Sequence, residues 1–345
     1  MNSKTKYLKI NFAETTEDEI ISYCKALQDS EEKWIQKLAT FILEWFNDND
    51  FINAQSSGTT GEAKSFQILK NKMKASAILS AKTFGLPKGN SAFICLSTNY
   101  IAGKMMVVRS ITNSWKLIAT EPCANPLTHL NEKVDFIALV PNQLFSILNS
   151  TDALKLKLFK TIIVGGGEIN EALEELIHQH EINVYHTFGM TETVSHIAIK
   201  KISPQKENYY TALEGISFEK DEQQRLIIHA PALQSEAIHT NDCVELISDK
   251  KFVWLGRFDN IINSGGIKIN PEIIENKIRK HISGNFIVGS VKDDKLNHKI
   301  ALFIEGKQQV DLKKINSLLE KYEQIKEVKY NAEFRYTESG KIKRN

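Results

Sequence analysis

Between residues 91 and 188, short apolar runs alternate with longer amphipathic ones, and this constrains the fold more than any other feature of the chain. The run 92–96 precedes an amphipathic segment at 102–113, and 116–119 precedes 126–133. Likewise 135–140 precedes 141–148, 160–165 precedes 170–180, and 182–188 closes the series. A parallel strand pair needs a crossover long enough for a helix, so this alternation predicts a parallel sheet with helices on its faces. Such sheets bind ligands outside the carboxyl ends of their strands, which directs attention to the loop after each strand.

On the N-terminal side, Thr16-x-x-Glu19 has the form of a capping box, and Ser30 is a candidate cap for a second helix. In that helix Trp34, Leu38, Phe41, Ile42 and Trp45 share one face, which reads as a packing stripe. Residues 210–255 hold the short β-like runs ISFEK, RLIIHA, CVELIS and KFVWLG, expected to form a small antiparallel subdomain. After Gly256 the pattern predicts a helix at 271–282, strands at 285–292 and 298–305, a helix at 311–322 and a last strand near 326–336. The expected class is α/β. A large N-terminal domain would span 1–257, with its β subdomain at about 205–256, and a small α+β domain would span 258–345.

At 345 residues the chain has the length of two domains, and 42% hydrophobic residues suffice for ordinary cores. A formal net charge of +2 gives no electrostatic reason to expect nucleic acid or a membrane surface as partner. Cys24, Cys95, Cys123 and Cys243 form no C-x-x-C pair, which argues against zinc and disulfides and suits a cytoplasmic location. The first twelve residues lack an apolar signal core, and no apolar run has membrane-spanning length.

Four segments carry candidate chemistry. Ser56-Ser57-Gly58-Thr59-Thr60-Gly61-Glu62-Ala63-Lys64 combines hydroxyls, two glycines and a lysine, as a phosphate-binding loop requires, and departs from the Walker A spacing. Read alone, its competing reading is a Ser/Gly-rich turn. Phe188-Gly189-Met190-Thr191-Glu192 follows a strand. It offers an aromatic for a purine, a hydroxyl for a phosphate and a carboxylate for Mg²⁺. Alone it is an ordinary strand-to-helix turn. Thr240-Asn241-Asp242 followed by Gly256-Arg257-x-Asp259 and Ser264-Gly265-Gly266 pairs a ribose-type aspartate with an anion-type arginine and a tight hairpin; alone it is a linker. Ser339-Gly340-Lys341-Ile342-Lys343-Arg344 alone is a solvated basic tail.

In this order the segments resemble the AMP-forming adenylating superfamily of acyl- and aryl-CoA synthetases, peptide-synthetase adenylation domains and luciferases. SSGTTGEAK is similar to its phosphate loop, GMTE to its Thr-Glu motif, TND to its ribose motif, GRFDNIINSGGIKINPEIIE to its hinge, and SGKIKR to its terminal lysine motif. VGGGE at 164–168 is similar to the adenine-side glycine loop, and LSTNYIAG at 96–103 to a segment lining the acyl pocket. The resemblance covers residues 52–345.

It implies a mobile C-terminal domain, with ATP, Mg²⁺ and CoA as substrates and no tightly bound prosthetic group. Ser56–Lys64 would hold the β- and γ-phosphates, and Gly165, Gly166, Gly167 and Phe188 would flank adenine. Gly189 and Met190 would lead into Thr191 at the α-phosphate and Glu192 on Mg²⁺. Asp242 would take the ribose hydroxyls, with Arg257 beside it. Lys341 would be the catalytic cation of adenylation. Asp259 would be the hinge that brings Ser264, Gly265 and Gly266 to the site for transfer to CoA.

The compact length and YHTFGMTETVSH resemble bacterial o-succinylbenzoate–CoA ligases, which implies 2-succinylbenzoate as the acid and menaquinone biosynthesis as the setting. Tyr100, Ser195 and His196 are the candidates for its pocket, with Arg109 available for a second carboxylate. Other acids, a carrier-protein thiol in place of CoA, and a non-catalytic adenylate-binding module remain alternatives. Asn241 stands where the family usually has glycine, Ala63 and the stretch before SGKIKR lack a common proline, and Asn99-Tyr100 replaces a frequent aromatic–His pair.

Overall fold

The computed structural model describes residues 7–55, 65–293, 296–335, 342 and 344. They form two compact units. The first comprises Met1–Glu168, Leu176–Ile216 and His229–Ala237, and the second Ile169–Glu175, Ser217–Ile228 and Ile238–Asn345.

In the first unit the chain runs β1 (Leu8–Asn11), α1 (Glu17–Leu27), α2 (Lys33–Trp45), β2 (Phe51–Gln55), β3 (Ser65–Leu69), α3 (Lys70–Phe84), β4 (Ser91–Ile94) and α4 (Ile101–Thr112). It continues through β5 (Lys116–Ala119), β6 (Val134–Leu139), α5 (Pro141–Leu148), β7 (Phe159–Val164), α6 (Glu171–His180, shared with the second unit), β8 (Val184–Gly189), β9 (His196–Ser203) and β10 (Tyr210–Ala212). The strand order is β1-β5-β4-β6-β7-β8-β9-β10. β5, β4, β6, β7 and β8 pair in parallel, as the alternation predicts. β1, β9 and β10 join antiparallel. β5 lies on one side of β4 and β6 on the other, so the winding reverses at β4 and leaves a crevice at the carboxyl ends. Gln143 spans it, donating to the Cys95 and Cys123 carbonyls at 3.1 and 3.0 Å.

The capping box of Thr16 and Glu19 forms, with reciprocal bonds. Ser30 does not cap α2. The cap position is Glu32, and the Ser30 hydroxyl instead accepts from the Glu32 N–H at 3.2 Å. Leu38, Phe41, Ile42 and Trp45 are buried as their stripe predicts, in a core shared with α3, α4 and the sheet. No helix forms at 126–133. Asn125 accepts from the Leu127 N–H at 3.2 Å in an Asx-type turn, and such side-chain bonds to nearby backbone compete with a helix.

The second unit contains β11 (Ser217–Lys220), β12 (Arg225–His229, whose last residue lies in the first unit), β13 (Ile238–Ser248) and β14 (Lys251–Arg257), in the order β14-β13-β12-β11. A hairpin of β15 (Ile262–Ser264) and β16 (Ile267–Ile269) follows. Then come α7 (Pro271–Ile278), β17 (Phe286–Asp293), β18 (Asn297–Glu305), α8 (Leu312–Asn316) and β19 (Glu327–Asn331). β17 and β18 are antiparallel and β19 runs parallel to β18, around a core that includes Ile274, Ile278, Phe286 and Leu302. α8 is shorter than the predicted 311–322. Asn316 turns its amide to both backbone groups of Ile325, at 3.0 and 2.8 Å, and ends the helix.

The fold is therefore α/β, a helix-flanked sheet with a parallel centre together with a small separate sheet. No helix among the described residues is long and apolar enough to cross a membrane.

Candidate active site

The glycine loop after β7 is shaped by its neighbours. A Cβ on Gly165 would stand 2.4 Å from Thr187 Oγ1, and Gly166 has φ +75°, so neither position suits a side chain. His186 is buried beneath, with Nε2 at 2.9 Å from the Gly167 carbonyl and Nδ1 at 2.8 Å from the Tyr210 hydroxyl. Since a carbonyl only accepts, Nε2 carries the proton and Nδ1 accepts from Tyr210. The ring of Tyr210 lies 5.6 Å from that of Phe188. Gly165–Gly167 and Phe188, separate in sequence, are thus joined through His186 and Tyr210.

Gly189 ends β8 where two backbones meet. A Cβ there would stand 2.3 Å from the Ser195 carbonyl oxygen and 2.7 Å from His196 Cα. The following turn is closed by Thr193, whose hydroxyl accepts from the Met190 N–H at 2.9 Å and donates to the Ser195 carbonyl at 2.8 Å. The Val194 N–H reaches the Thr191 carbonyl at 2.9 Å. This leaves Thr191 half-buried and Glu192 exposed. β9 follows, so the turn joins two antiparallel strands and opens no helix.

Behind the turn sits a buried cation. Arg109, on α4, is 2% exposed. Its Nε donates to Ser80 Oγ at 3.1 Å, its Nη2 to Ser195 Oγ at 2.5 Å, and Nη2 lies 3.3 Å from His196 Nδ1. His196 Nε2 lies 3.2 Å from Ser80 Oγ. Among the described residues no carboxylate pairs with Arg109, and burial alone pushes its pKa down to about 10. Burial first, and then the Arg109 charge, hold His196 well below its ordinary value, so the imidazole is neutral. Ser195 and His196 are brought together with Arg109. Tyr100 stands at the far end of α4, about 14 Å along the helix at the usual rise per residue.

In the second unit Asp242 is buried on β13, opposite Arg257 on β14. Its carboxylate accepts from Trp254 Nε1 at 2.9 Å and from Arg257 Nη1 at 3.4 Å. The exposed Asp259 is held by the Asn241 amide at 3.1 Å and lies 3.6 Å from Arg257 Nη2. Gly265 and Gly266, with φ +58° and +87°, form the two-residue turn between β15 and β16.

Ser56, Ser57, Gly58, Thr59, Thr60, Gly61, Lys64 and Lys341 lie outside the described residues. The strands flanking the first group, β2 and β3, pair antiparallel with Gln55 opposite Ser65. No cluster of three or more metal-ligating side chains occurs among the described residues. Sequence reasoning missed Thr193, Gln143, Tyr210 and the part His186 plays. Only Thr193 carried a local signal, as the second threonine of GMTET.

Three comparisons bear on this geometry. Residues 14–217 match the AMP-binding enzyme family. A 2-succinylbenzoate–CoA ligase of Listeria monocytogenes is 25% identical over an alignment of 366 positions, covering 96% of this chain and 76% of that one. A solved acyl-CoA synthetase (AMP-forming)/AMP-acid ligase II-like protein from Dyadobacter fermentans is 32% identical, with TM-score 0.66, covering 98% of this chain and 97% of that one. The o-succinylbenzoate coenzyme A synthetase of Bacillus subtilis, solved with ATP and magnesium, is 20% identical with TM-score 0.74, covering 85% of this chain and 68% of that one. With more than half of its length matched, the chain belongs to the AMP-binding enzyme family.

Proposed function

We propose that the protein is an acid–CoA ligase that activates a carboxylic acid as its adenylate, and that the acid is a dicarboxylate of the 2-succinylbenzoate type. The observation that carries this reading is Arg109, a buried guanidinium surrounded by Ser80, Ser195 and His196 and lacking a carboxylate partner among the described residues. A charge withdrawn from water calls for a counter-charge. A second carboxylate on the substrate supplies one, and the neutral His196 leaves the guanidinium as the cluster's one positive charge.

The chemistry has two half-reactions. In the first, a carboxylate oxygen attacks the α-phosphorus of ATP, the bond to the β-phosphate oxygen breaks, and pyrophosphate leaves with the electron pair. In the second, the CoA thiolate attacks the acyl carbon, and AMP leaves with the carbon–oxygen bonding pair. Gly165–Gly167 and Phe188 would take the adenine against the support of His186 and Tyr210. Thr191 would donate to the α-phosphate. Asp242, held by Trp254 and Arg257, would accept from the ribose hydroxyls. Ser56–Lys64 would bind the β- and γ-phosphates.

Glu192 is exposed, which fits a lone carboxylate sharing Mg²⁺ with phosphate oxygens. When bound, Mg²⁺ neutralises phosphate charge. Lys341 would place a fixed cation where carboxylate and phosphate charges converge. The second half-reaction would follow rotation of the C-terminal residues about Asp259, bringing Ser264–Gly266 to the site in place of Lys341.

Carboxylate-dependent ATP–pyrophosphate exchange, run across monocarboxylic and dicarboxylic acids that include 2-succinylbenzoate, tests the reading. Exchange with dicarboxylates and thioester formation on addition of free CoA are expected. No exchange with any acid would leave a binding module, and exchange without thioester would point to a carrier-protein thiol.

A further inference from the structure

A guanidinium near the end of the chain is not solvated as basic tails usually are. Arg344 forms a two-pronged ion pair with Glu275 of α7, Nη1 to Oε1 at 2.8 Å and Nη2 to Oε2 at 2.7 Å, and Nη1 also donates to the Val288 carbonyl at 3.0 Å. Glu275 Oε1 accepts in turn from the Val288 N–H at 2.6 Å. Val288 lies on β17, an edge strand of its three-stranded sheet, so the pair occupies backbone groups that the edge would leave open. A second carboxylate is close. Glu272 Oε1 is 3.6 Å from Arg344 Nη2 and accepts from the Asn260 amide, one residue past the candidate hinge. The other oxygen, Glu272 Oε2, stands 2.8 Å from where a Cβ on Gly256 would be, and has no hydrogen bond among the described residues.

The cluster therefore links three places in the second unit: the tail at 344, α7, and Asn260 just past Asp259. We infer that Arg344 is a positioning residue, a clamp that fastens the tail to Glu275 and Glu272 and so limits where Lys341 can stand during adenylation. Lys341 is three residues upstream, and three residues of chain cannot reach beyond about 11 Å. This rests on the proposed role of Lys341. The guanidinium is matched to the carboxylate fork in a way an ammonium cannot reproduce. Arg344, its partners Glu272, Glu275 and Val288, and Asn260 all lie on the C-terminal side of Asp259, so rotation there would carry the clamp and Lys341 as one piece.

The test uses the full chain and separates the half-reactions, exchange with ATP and acid for the first and thioester from a supplied acyl-adenylate for the second. Arg344→Met alone strands two buried carboxylates, so the double variant Arg344→Met, Glu275→Met is compared with it as a matched apolar pair. Both are expected to lower the exchange kcat by about tenfold or more, as a displaced catalytic group does, with ATP KM and thioester formation within about twofold of wild type. Arg344→Lys is expected to recover less than half of the loss.

Hydrogen exchange of the tail peptide gives a readout that needs no substrate. It should quicken in the double variant and stay unchanged in Lys341→Ala. Equal losses in both half-reactions, or a tail that exchanges as fast in wild type as in the variant, would overturn the clamp. Loss of exchange activity in Lys341→Ala without loss in the double variant also overturns it while leaving the lysine's role intact. An unchanged Lys341→Ala defeats the reading of that lysine, and this inference with it.

Discussion

Arg109 allows a substrate role to be told from a packing role, because the two predict opposite signs. A buried cation with neutral partners is unfavourable to folding, and a hydrophobic replacement of similar volume is commonly neutral or stabilising. Arg109→Met is therefore expected to hold or raise the melting temperature. Losing charge-assisted hydrogen bonds of about 1.5–3 kcal/mol should raise the KM for the acid about 10- to 100-fold and leave that for ATP unchanged. A lowered melting temperature with an unchanged acid KM would make Arg109 a packing residue.

Its neighbour His196 makes a pH prediction. The folded imidazole is held below its ordinary value by burial and by Arg109, whereas an unfolded one titrates near about 6.5. Below that pH the unfolded chain takes up a proton that the fold refuses. Stability should then fall by up to about 1.4 kcal/mol per pH unit. Denaturant melts near about pH 7.5 and 5.5 should show this slope in wild type and less of it in His196→Asn. Parallel declines in the two proteins would count against it.

Among the elements, the β8–β9 turn has little room for a side chain at Gly189. Ala at position 189 would drive Cβ into the Ser195 carbonyl and His196 Cα, both backbone atoms that flexible side chains cannot replace. Gly189→Ala is expected to destabilise by about 1–3 kcal/mol or more and to displace Thr191 and Glu192 together, which paired denaturant melts and exchange assays would register. An unperturbed melt would mean that the strands part more readily than their spacing implies.

This turn also marks what the sequence makes legible. Helix 141–148 and strand 116–119 form where their periodicity puts them, and the glycine loop 165–167 follows its strand, since each is a local pattern. Segment 126–133 has helical apolar spacing, yet Asn125 and Pro126 impose a turn that periodicity alone does not weigh. α3, β1, β2 and β9 went unread for want of a clear period. The bonds that assemble the candidate sites were hidden for another reason. Ser195 meets Arg109 across 86 residues and Arg344 meets Glu275 across 69, and no local pattern reports such pairings.

At the scale of the whole molecule the proposed cycle needs backbone rotation near Asp259. Proline fixes φ near −65°. Asp259→Pro is expected to retain exchange activity while thioester formation from a supplied adenylate falls. If both half-reactions fell together, rotation at this residue would not be the step between them. Asn241, which stands where the family usually has glycine, adds a bond to the same carboxylate at 3.1 Å. Asn241→Gly should therefore ease the transition, read as a raised ratio of thioester formation to exchange.

The two units are also interleaved along the chain, each assembled from three stretches. A ribosome makes such a chain in an awkward order. When residue 237 emerges, the first unit has its last stretch, while 169–175 and 217–228 have emerged ahead of their partners. β12 must wait for β13, since Ile227 pairs with His239 and Ile228 with Ile238. Nascent chains paused before that point should carry exposed strand edges and attract holdase chaperones, and release of the remaining length should remove them together. No single cut in the gene yields both halves whole.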